Sequence, residues 1–172
     1  LPLLRGLGTT RALGWAPRVP AGEREAFERA QRAGGLPSFT IFNIGAEGRP
    51  VPAAPAAEYF PALFIEPFTP GRAVGFDETS ESRRLGALLR ARDSGETALS
   101  PLLESVRPES ERHDAFLVQA VYRRGARPAT VEERREALAG YVFNAFRISD
   151  LARTALVGVN VHDLDLSLFD VT

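Results

Sequence analysis

The sequence contains no cysteine, no methionine and no lysine, so all 21 of its basic residues are arginine. Without cysteine the chain has no disulfide, no thiol nucleophile and no zinc–thiolate site. A glycine-rich phosphate loop that ends in lysine is excluded as well. Because methionine is missing, we expect a fragment or a processed chain. The use of arginine in place of lysine indicates a GC-rich coding sequence.

The sequence also lacks an excess of positive or negative charge, and it lacks long apolar runs. The 21 basic and 22 acidic residues leave a net charge of −1, so no surface for a nucleic acid or an anionic membrane is expected. No run approaches the about 18 apolar residues of a membrane span, and no signal peptide is recognisable. With 44% hydrophobic residues over 172 positions, the chain can bury one core, or one lobe and the start of a second.

Apolar spacing and capping residues indicate four helices. We predict them from about residue 21 to 33 and over 80–95, 130–138 and 149–156. Ser80 and Ser149 stand at N-cap positions, and Gly95 ends the second helix. Thr130, followed by Glu133 three residues later, forms the sequence pattern of a capping box.

Alternating or continuous apolar segments indicate strands. We predict them at 38–44, 58–67, 97–106, 115–123, 139–148, 159–164 and 166–171. The intervening segment 45–57 is rich in Gly, Pro and Ala and is expected to be a loop, as is the charged segment 107–114. Pro61 favours an edge position for the second strand. The order predicts an α+β fold in which helices flank a mostly antiparallel sheet, which resembles a PAS-like sensor lobe.

Catalytic patterns are weak throughout the chain. His113 lies among charged residues and is expected to be solvated. His162 precedes Asp163, but no second histidine or spaced carboxylate accompanies it, and a lone histidine binds metal poorly. No G-x-S-x-G nucleophile motif occurs. We therefore expect no enzyme, no metal and no cofactor, with a hydrolase that uses Asp77 or His162 as the alternative.

Six motifs occur in a fixed order between residues 61 and 151. They read P-x-L-F-I-E-P, A-V-G-F-D, S-x-S-R-R-L-G-A-L-L-R-A-R-D-S-G, A-V-Y, T-V-E-E-R-R and L-A-G-Y-V-F-N-A-F-R-I-S-D-L. In this order they resemble the CHASE domain, the extracellular sensory module of receptor histidine kinases and cyclases, including plant cytokinin receptors. L-G-W-A-P-R-V and E-R-E-A-F-E near the start resemble the helices before the sensor lobe. Two departures are Ala120, where the family has Pro, and the segment S-P-L-L-E-S-V-R-P-E-S.

The resemblance implies an extracytoplasmic small-molecule sensor in a transmembrane receptor with a histidine kinase or a diguanylate or adenylate cyclase as its output. It divides the chain into an N-terminal helical segment, 1–37, a membrane-distal PAS-like ligand-binding lobe, 38–148, and the truncated start of a proximal lobe, 149–172. A homodimer through the N-terminal helices and membrane anchoring by flanking helices absent from this chain are expected. The alternative is a ligand-independent dimerisation or interaction module.

The resemblance also implies a ligand-binding site. Asp77 is its implied polar anchor, because the matching aspartate hydrogen-bonds the purine ring in cytokinin-binding members, which makes an adenine derivative one candidate ligand. A carboxylate at the mouth of an apolar pocket is selective, since leaving it unpaired is costly. The other positions expected to line the pocket are Leu99, Ser100, Phe116, Val118, Ala120, Tyr122, Gly140, Tyr141 and Val142.

Several of these residues have a second interpretation. Asp77 can cap the following helix, with or without binding a ligand. Arg84 is expected to be structural and to pair with Asp77 or Glu81. Alternation divides the strand 115–123 into two sets of side chains, and we favour Phe116, Val118 and Ala120 over Leu117, Gln119 and Val121 as the inward set. Core packing can account for each of them. Gly140 would let a ligand approach the backbone closely.

Overall fold

The computed structural model describes residues 10–66, 73–103 and 114–156. Within these residues the chain forms short and long strands and four α-helices. The strands are β1 (Thr10–Pro17), β2 (Val19–Pro20), β3 (Phe42–Ile44), β4 (Pro50–Pro52), β5 (Glu58–Tyr59), β6 (Phe64–Glu66), β7 (Ala98–Leu99), β8 (Asp114–Tyr122) and β9 (Leu138–Arg147). The helices are α1 (Arg24–Ala33), α2 (Ser82–Ser94), α3 (Val131–Ala137) and α4 (Ile148–Ala155).

Five of the strands form one antiparallel sheet in the order β6-β1-β9-β8-β7. The longest pairing joins β8 to β9, with Ala120 opposite Tyr141. On its other side β9 pairs with β1, where Trp15 lies opposite Val142. Two small ribbons, β2 with β5 and β3 with β4, lie outside this sheet. The predicted α+β class with a mostly antiparallel sheet is confirmed.

The two faces of the sheet differ in burial. On one face Phe116, Val118 and Ala120 of β8 are buried and pack with Leu88 and other residues of α2. These three belong to the favoured inward set, so that assignment is confirmed. Because successive residues of a strand point to opposite sides, the other face carries Leu99 and Val142, which are 47% and 39% exposed.

The prediction of a helical N-terminal segment, 1–37, holds for α1 and is wrong at Thr10–Pro17, which forms the internal strand β1. Small residues obscure its alternation. A Cβ built on Gly14 would lie 2.2 Å from Cζ of Phe143, so β1 needs a small residue beneath that ring. The strand is held by pairing with β6 and β9, which are distant in sequence and produce no local signal.

Three predicted segments are shorter or more broken than expected. The segment 45–57 contains β4, which pairs with β3, so its prediction as a loop is wrong at Pro50–Pro52. The segment 58–67 is divided into β5 and β6, with Pro61 between them in an isolated bridge to Asp77. As Pro61 predicts, β6 is an edge strand. Between residues 97 and 103, only Ala98–Leu99 forms a strand.

The later elements follow the sequence more closely. The helix predicted over 130–138 is α3, and its capping box between Thr130 and Glu133 is present. Gly95 ends α2 in the left-handed region at φ 80°, as predicted. Ser149 is not the cap of α4, since Arg147 holds that position without a side-chain hydrogen bond. The strands predicted at 159–164 and 166–171 lie outside the described residues, as does most of the charged segment 107–114.

Candidate functional site

Asp77 lies directly before a 3₁₀ turn, Glu78–Ser80, and is only 4% exposed. Its Oδ1 accepts hydrogen bonds from the backbone N of Phe60 at 3.0 Å, the N of Thr79 at 3.3 Å and the hydroxyl of Thr79 at 2.8 Å. Asp77 therefore caps this 3₁₀ turn, and the interpretation that it caps the following α-helix is wrong, because the N-cap of α2 is Glu81. Within the described ranges no group donates to the second carboxylate oxygen, Oδ2.

The N-cap of α2 is Glu81, so the prediction of Ser80 at this position is wrong. Glu81 accepts through Oε1 from the N of Arg83 at 3.1 Å and through Oε2 from the N of Arg84 at 2.9 Å. Ser80 instead donates its hydroxyl to the carbonyl of Asp77 at 2.7 Å. The longer acidic side chain reaches two free N–H groups of the first turn, whereas the hydroxyl of Ser80 is used inside the preceding 3₁₀ turn.

Arg84 forms its ion pair with Glu78, so the prediction that it pairs with Asp77 or Glu81 is wrong. Glu78 is 1% exposed, and the guanidinium group of Arg84 lies 5.2 Å from the ring centroid of Phe76 and 5.1 Å from that of Phe116. Burial raises the pKa of the Glu78 carboxyl, and the contact with Arg84 opposes that rise. Burying a charged pair is costly, which makes this cluster a candidate for function.

Glu78 was not predicted to be buried. Its only signal is that it is an acidic residue at a helix start, and such residues are ordinarily solvated. Its burial results from the hydrogen bond between its backbone N and the carbonyl of Phe60, a contact that local pattern does not reveal.

The predicted site residues are divided between two faces of the sheet. Phe116, Val118 and Ala120 pack beneath α2, and the hydroxyl of Tyr122 donates to the carbonyl of Arg92 at 3.0 Å. Buried Ser100 lies beside them, and its hydroxyl accepts from the N of Phe116 at 3.1 Å. These residues form a packed core next to the Glu78–Arg84 pair, and their contact with a ligand stays a prediction.

Leu99, Val142 and Gly140 are not brought into this group. The first two are exposed on the opposite face of the sheet. Gly140 has φ 155°, and a Cβ there would lie 2.4 Å from the carbonyl oxygen of Ala16 and 2.6 Å from the ring of Trp15. Close packing of β1 against β9 therefore accounts for this glycine, and its proposed approach to a ligand stays a prediction.

A cleft of about 230 Å³ lies between α2 and residues 57–60. The residues that line it are Ala57, Glu58, Phe60, Thr79, Leu85, Leu88, Leu89, Arg92 and Tyr141. Of the residues predicted to wall the ligand pocket, Tyr141 is the one that lines this cleft. Phe60 and Thr79 both donate hydrogen bonds to Asp77, so the cleft lies next to the predicted anchor.

The described residues have neither a cluster of metal ligands nor a membrane-spanning helix. In the part of the chain that the structure describes, no three His, Cys, Asp or Glu side chains are grouped as metal ligands would be. No helix among the described residues is long and apolar enough to cross a membrane. Both histidines, His113 and His162, lie outside the described ranges.

Comparison with known proteins identifies the family. The profile of the CHASE domain family matches residues 3–172. Hybrid signal transduction histidine kinase A of Dictyostelium discoideum is 33% identical over 165 residues, which are 91% of this chain and 8% of that protein. Probable histidine kinase 6 of Oryza sativa subsp. japonica is 31% identical over 173 residues, 99% of this chain and 16% of the relative. Histidine kinase 3 of Arabidopsis thaliana is 32% identical over 179 residues, 90% of this chain and 16% of the relative.

The chain thus spans less than a fifth of the length of each of these relatives. The family match covers all the elements described above and all six sequence motifs. The chain therefore belongs to the CHASE domain family, whose members are extracellular sensory domains of signalling receptors.

Proposed function

We propose that this CHASE domain is the extracytoplasmic small-molecule sensor of a transmembrane receptor with a histidine kinase output. The names of its three relatives support the kinase, and the length of those relatives leaves room for membrane helices and a cytoplasmic output domain. A diguanylate or adenylate cyclase is the alternative output. The described sheet and helices act in this proposal as a PAS-like membrane-distal lobe that binds the ligand.

The observation that carries the ligand proposal is the arrangement of Asp77. Three donors from Phe60 and Thr79 fix its Oδ1, which holds the carboxylate rigidly, while Oδ2 has no donor among the described residues. Oδ2 is not among the buried polar atoms that lack a partner, so it is accessible to a hydrogen-bond donor on a ligand, and a bond to a charged acceptor is stronger than one to a neutral acceptor. A ligand with an N–H group, such as an adenine derivative, fits this requirement.

The other proposed ligand residues do not all lie on the same face of the sheet, so the roles proposed for them are not equally well supported. Ser100, Phe116, Val118, Ala120 and Tyr122 lie on the face of the sheet that α2 covers, the same face as the Glu78–Arg84 pair. Ligand contact by Leu99, Gly140 and Val142 rests on the family resemblance alone.

Signalling requires that the ligand favour one of two receptor arrangements. A ligand shifts such an equilibrium only by its differential affinity for the two states. In our proposal binding near Asp77 changes how the sheet packs on the N-terminal part of the chain, where α1 contributes to a homodimer. Flanking membrane helices then carry the change to the output domain.

A thermal-shift screen tests the proposal. The purified chain is mixed with adenine derivatives and other metabolites at a concentration of about 100 Kd, where one-site binding raises the melting temperature by roughly 5–10 °C. In Asp77→Asn the amide oxygen still accepts the capping hydrogen bonds, but the carboxylate charge is lost, so we expect the shift to disappear.

Glu81→Gln is the matched control, because it also removes the charge of an acidic capping residue but has no proposed ligand contact. It should retain the shift. The anchor role of Asp77 would be wrong if Asp77→Asn and Glu81→Gln responded to the ligand equally.

A second function is favoured by one observation. Phe64, Leu99 and Val142 leave apolar side chains exposed on the face of the sheet opposite α2, as an interaction module would. If no compound stabilises the chain and analytical ultracentrifugation finds a dimer, the ligand-independent dimerisation module replaces the sensor.

A further inference from the structure

We propose that the cleft between α2 and residues 57–60 is a second small-molecule site, separate from Asp77, for an uncharged single-ring compound that carries a hydrogen-bond acceptor. Tyr141 lines this cleft and is 2% exposed. Its ring packs against Phe60, with the centroids 4.9 Å apart.

The Tyr141 hydroxyl has no hydrogen-bond partner within the described ranges, although the side chain is almost completely buried. The phenol lines the cleft together with Arg92 and Glu58. Burial also raises the pKa of Tyr141, so the hydroxyl stays protonated and acts as a donor. The hydroxyl is not among the buried polar atoms that lack a partner, so it is accessible from the cleft, where an acceptor on a ligand can bond it.

Size and lining define the body of the ligand. Leu85, Leu88 and Leu89 of α2 form one side of the cleft, opposite Phe60. A dry apolar cavity of about 150 Å³ holds benzene. The cleft has about 230 Å³ and therefore accommodates one ring with a short polar substituent.

The charges near the cleft favour an uncharged ligand. Glu58 is already paired with Arg18, whose Nε lies 2.5 Å from its Oε2. Arg92 is paired with Asp93, with 2.6 Å between Nε and Oδ1. Each charge is offset by its partner, so neither ion offers the full compensation that a buried ligand charge requires.

The site is distinct from Asp77, yet it touches the residues that hold Asp77. Thr79 lines the cleft and donates its hydroxyl to Oδ1 of Asp77, and Phe60 donates its backbone N to the same oxygen. Ligands at the two sites would therefore contact the same short segments.

The test is ¹⁹F NMR titration of the 172-residue chain with two probes of nearly equal shape. 4-Fluoroacetophenone carries a carbonyl acceptor, and 1-ethyl-4-fluorobenzene does not. The wild-type chain should bind the ketone roughly fivefold to tenfold more tightly, the difference that one satisfied hydrogen bond provides. In Tyr141→Phe the two dissociation constants should become equal.

Two further variants locate the probes. Leu89→Gln changes a partly exposed residue of the cleft and should weaken both probes severalfold. Tyr59→Phe removes a hydroxyl outside the cleft, one that accepts from the backbone N of Ala56, and should leave the ratio of the two dissociation constants unchanged. Binding of neither probe at millimolar concentration, or a ratio that survives in Tyr141→Phe, overturns the proposal. Loss of ketone binding in Asp77→Asn but not in Tyr141→Phe would place the probe at Asp77 and overturn it too.

Discussion

Tyr122 and Tyr141 lie on the same face of the sheet, but their hydroxyl groups have different environments. The hydroxyl of Tyr122 donates to the carbonyl of Arg92, whereas that of Tyr141 has no partner among the described residues. Both rings contribute to the same apolar core. The two residues therefore separate the effect of a hydroxyl group that the fold uses from that of one available to a ligand.

We predict that Tyr122→Phe lowers the free energy of unfolding by about 1 kcal/mol, because one hydrogen bond to a backbone carbonyl is lost. Tyr141→Phe should change it by no more than about 0.5 kcal/mol, since no protein hydrogen bond is removed. Urea unfolding followed by circular dichroism measures both values. A loss in Tyr141→Phe as large as that in Tyr122→Phe would mean that the Tyr141 hydroxyl does have a partner in the protein.

Gly140 is the position where the backbone most requires glycine. It combines φ 155° with β1 so close that a Cβ would lie 2.9 Å or less from atoms of Trp15, Ala16 and Pro17. Gly125 also has a positive φ, 83°, but no atom lies within 4 Å of its Cβ position. Substitutions at Gly140 and Gly125 can therefore be compared to separate the effect of backbone strain from that of steric overlap.

We expect Gly140→Ala to destabilise the chain by about 3 kcal/mol, from a left-handed backbone and overpacking together. Gly125→Ala should cost about 1 kcal/mol, from the backbone alone. Chemical denaturation of the two variants gives the comparison. Equal losses would contradict the close packing of β1 on β9.

At the scale of the secondary-structure elements, the junction between the 3₁₀ turn and α2 carries the least expected feature. Glu78 is buried and reaches Arg84, which lies over the rings of Phe76 and Phe116. Burial raises the pKa of Glu78, so the folded chain holds this proton at a higher pH than the unfolded chain does. Between the pKa of Glu78 in the unfolded chain and its pKa in the folded chain, the folded state binds more protons. The contribution of Glu78 to the free energy of unfolding therefore falls as pH rises through this range.

Arg84→Met should make the free energy of unfolding decrease more steeply as pH rises. The substitution keeps an aliphatic side chain over the two rings but removes the cation that lowers the pKa of Glu78. The unfolding free energy of Arg84→Met should therefore decrease, relative to wild type, as pH rises above the ordinary glutamate pKa of about 4.3. Arg90→Met is the control, because exposed Arg90 bonds the carbonyl of Leu99 and not a buried carboxyl. Parallel pH profiles for the two variants would contradict the role of Arg84.

The elements that the sequence predicts well are those with local signals. The capping box of α3, the left-handed Gly95 and the alternation of β8 each lie within a few residues. β1 could not be found in this way, because Gly14 and Ala16 leave its inward face nearly without side chains and its partners are distant in sequence. The short strand β4 likewise depends on its pairing with β3.

The candidate site was predicted only in part, for the same reason. The family resemblance and the helix position both single out Asp77, and the sequence could identify its capping role. The burial of Glu78 and the unpartnered hydroxyl of Tyr141 depend on how α2, residues 57–60 and β9 come together. Such contacts leave no spacing pattern in the sequence.

At the scale of the whole molecule, the described residues form a sheet covered by α2 on one face, with apolar side chains exposed on the other. The chain is a CHASE domain that spans 8% to 16% of its histidine kinase relatives. To test a sensor of this kind, one polar group must carry the ligand contact, and the fold must survive the substitution of that group. Asp77 meets both requirements in our proposal, because asparagine can take over its capping bonds.

The most direct test of the sensor proposal is the dissociation constant, by titration calorimetry, of the compound that stabilises the wild-type chain most. We predict that Asp77→Asn weakens this binding at least about tenfold, the effect of losing a hydrogen bond to a charged acceptor, and that Glu81→Gln leaves it unchanged. An Asp77→Asn variant that is folded and binds the compound as tightly as the wild type would contradict the proposal.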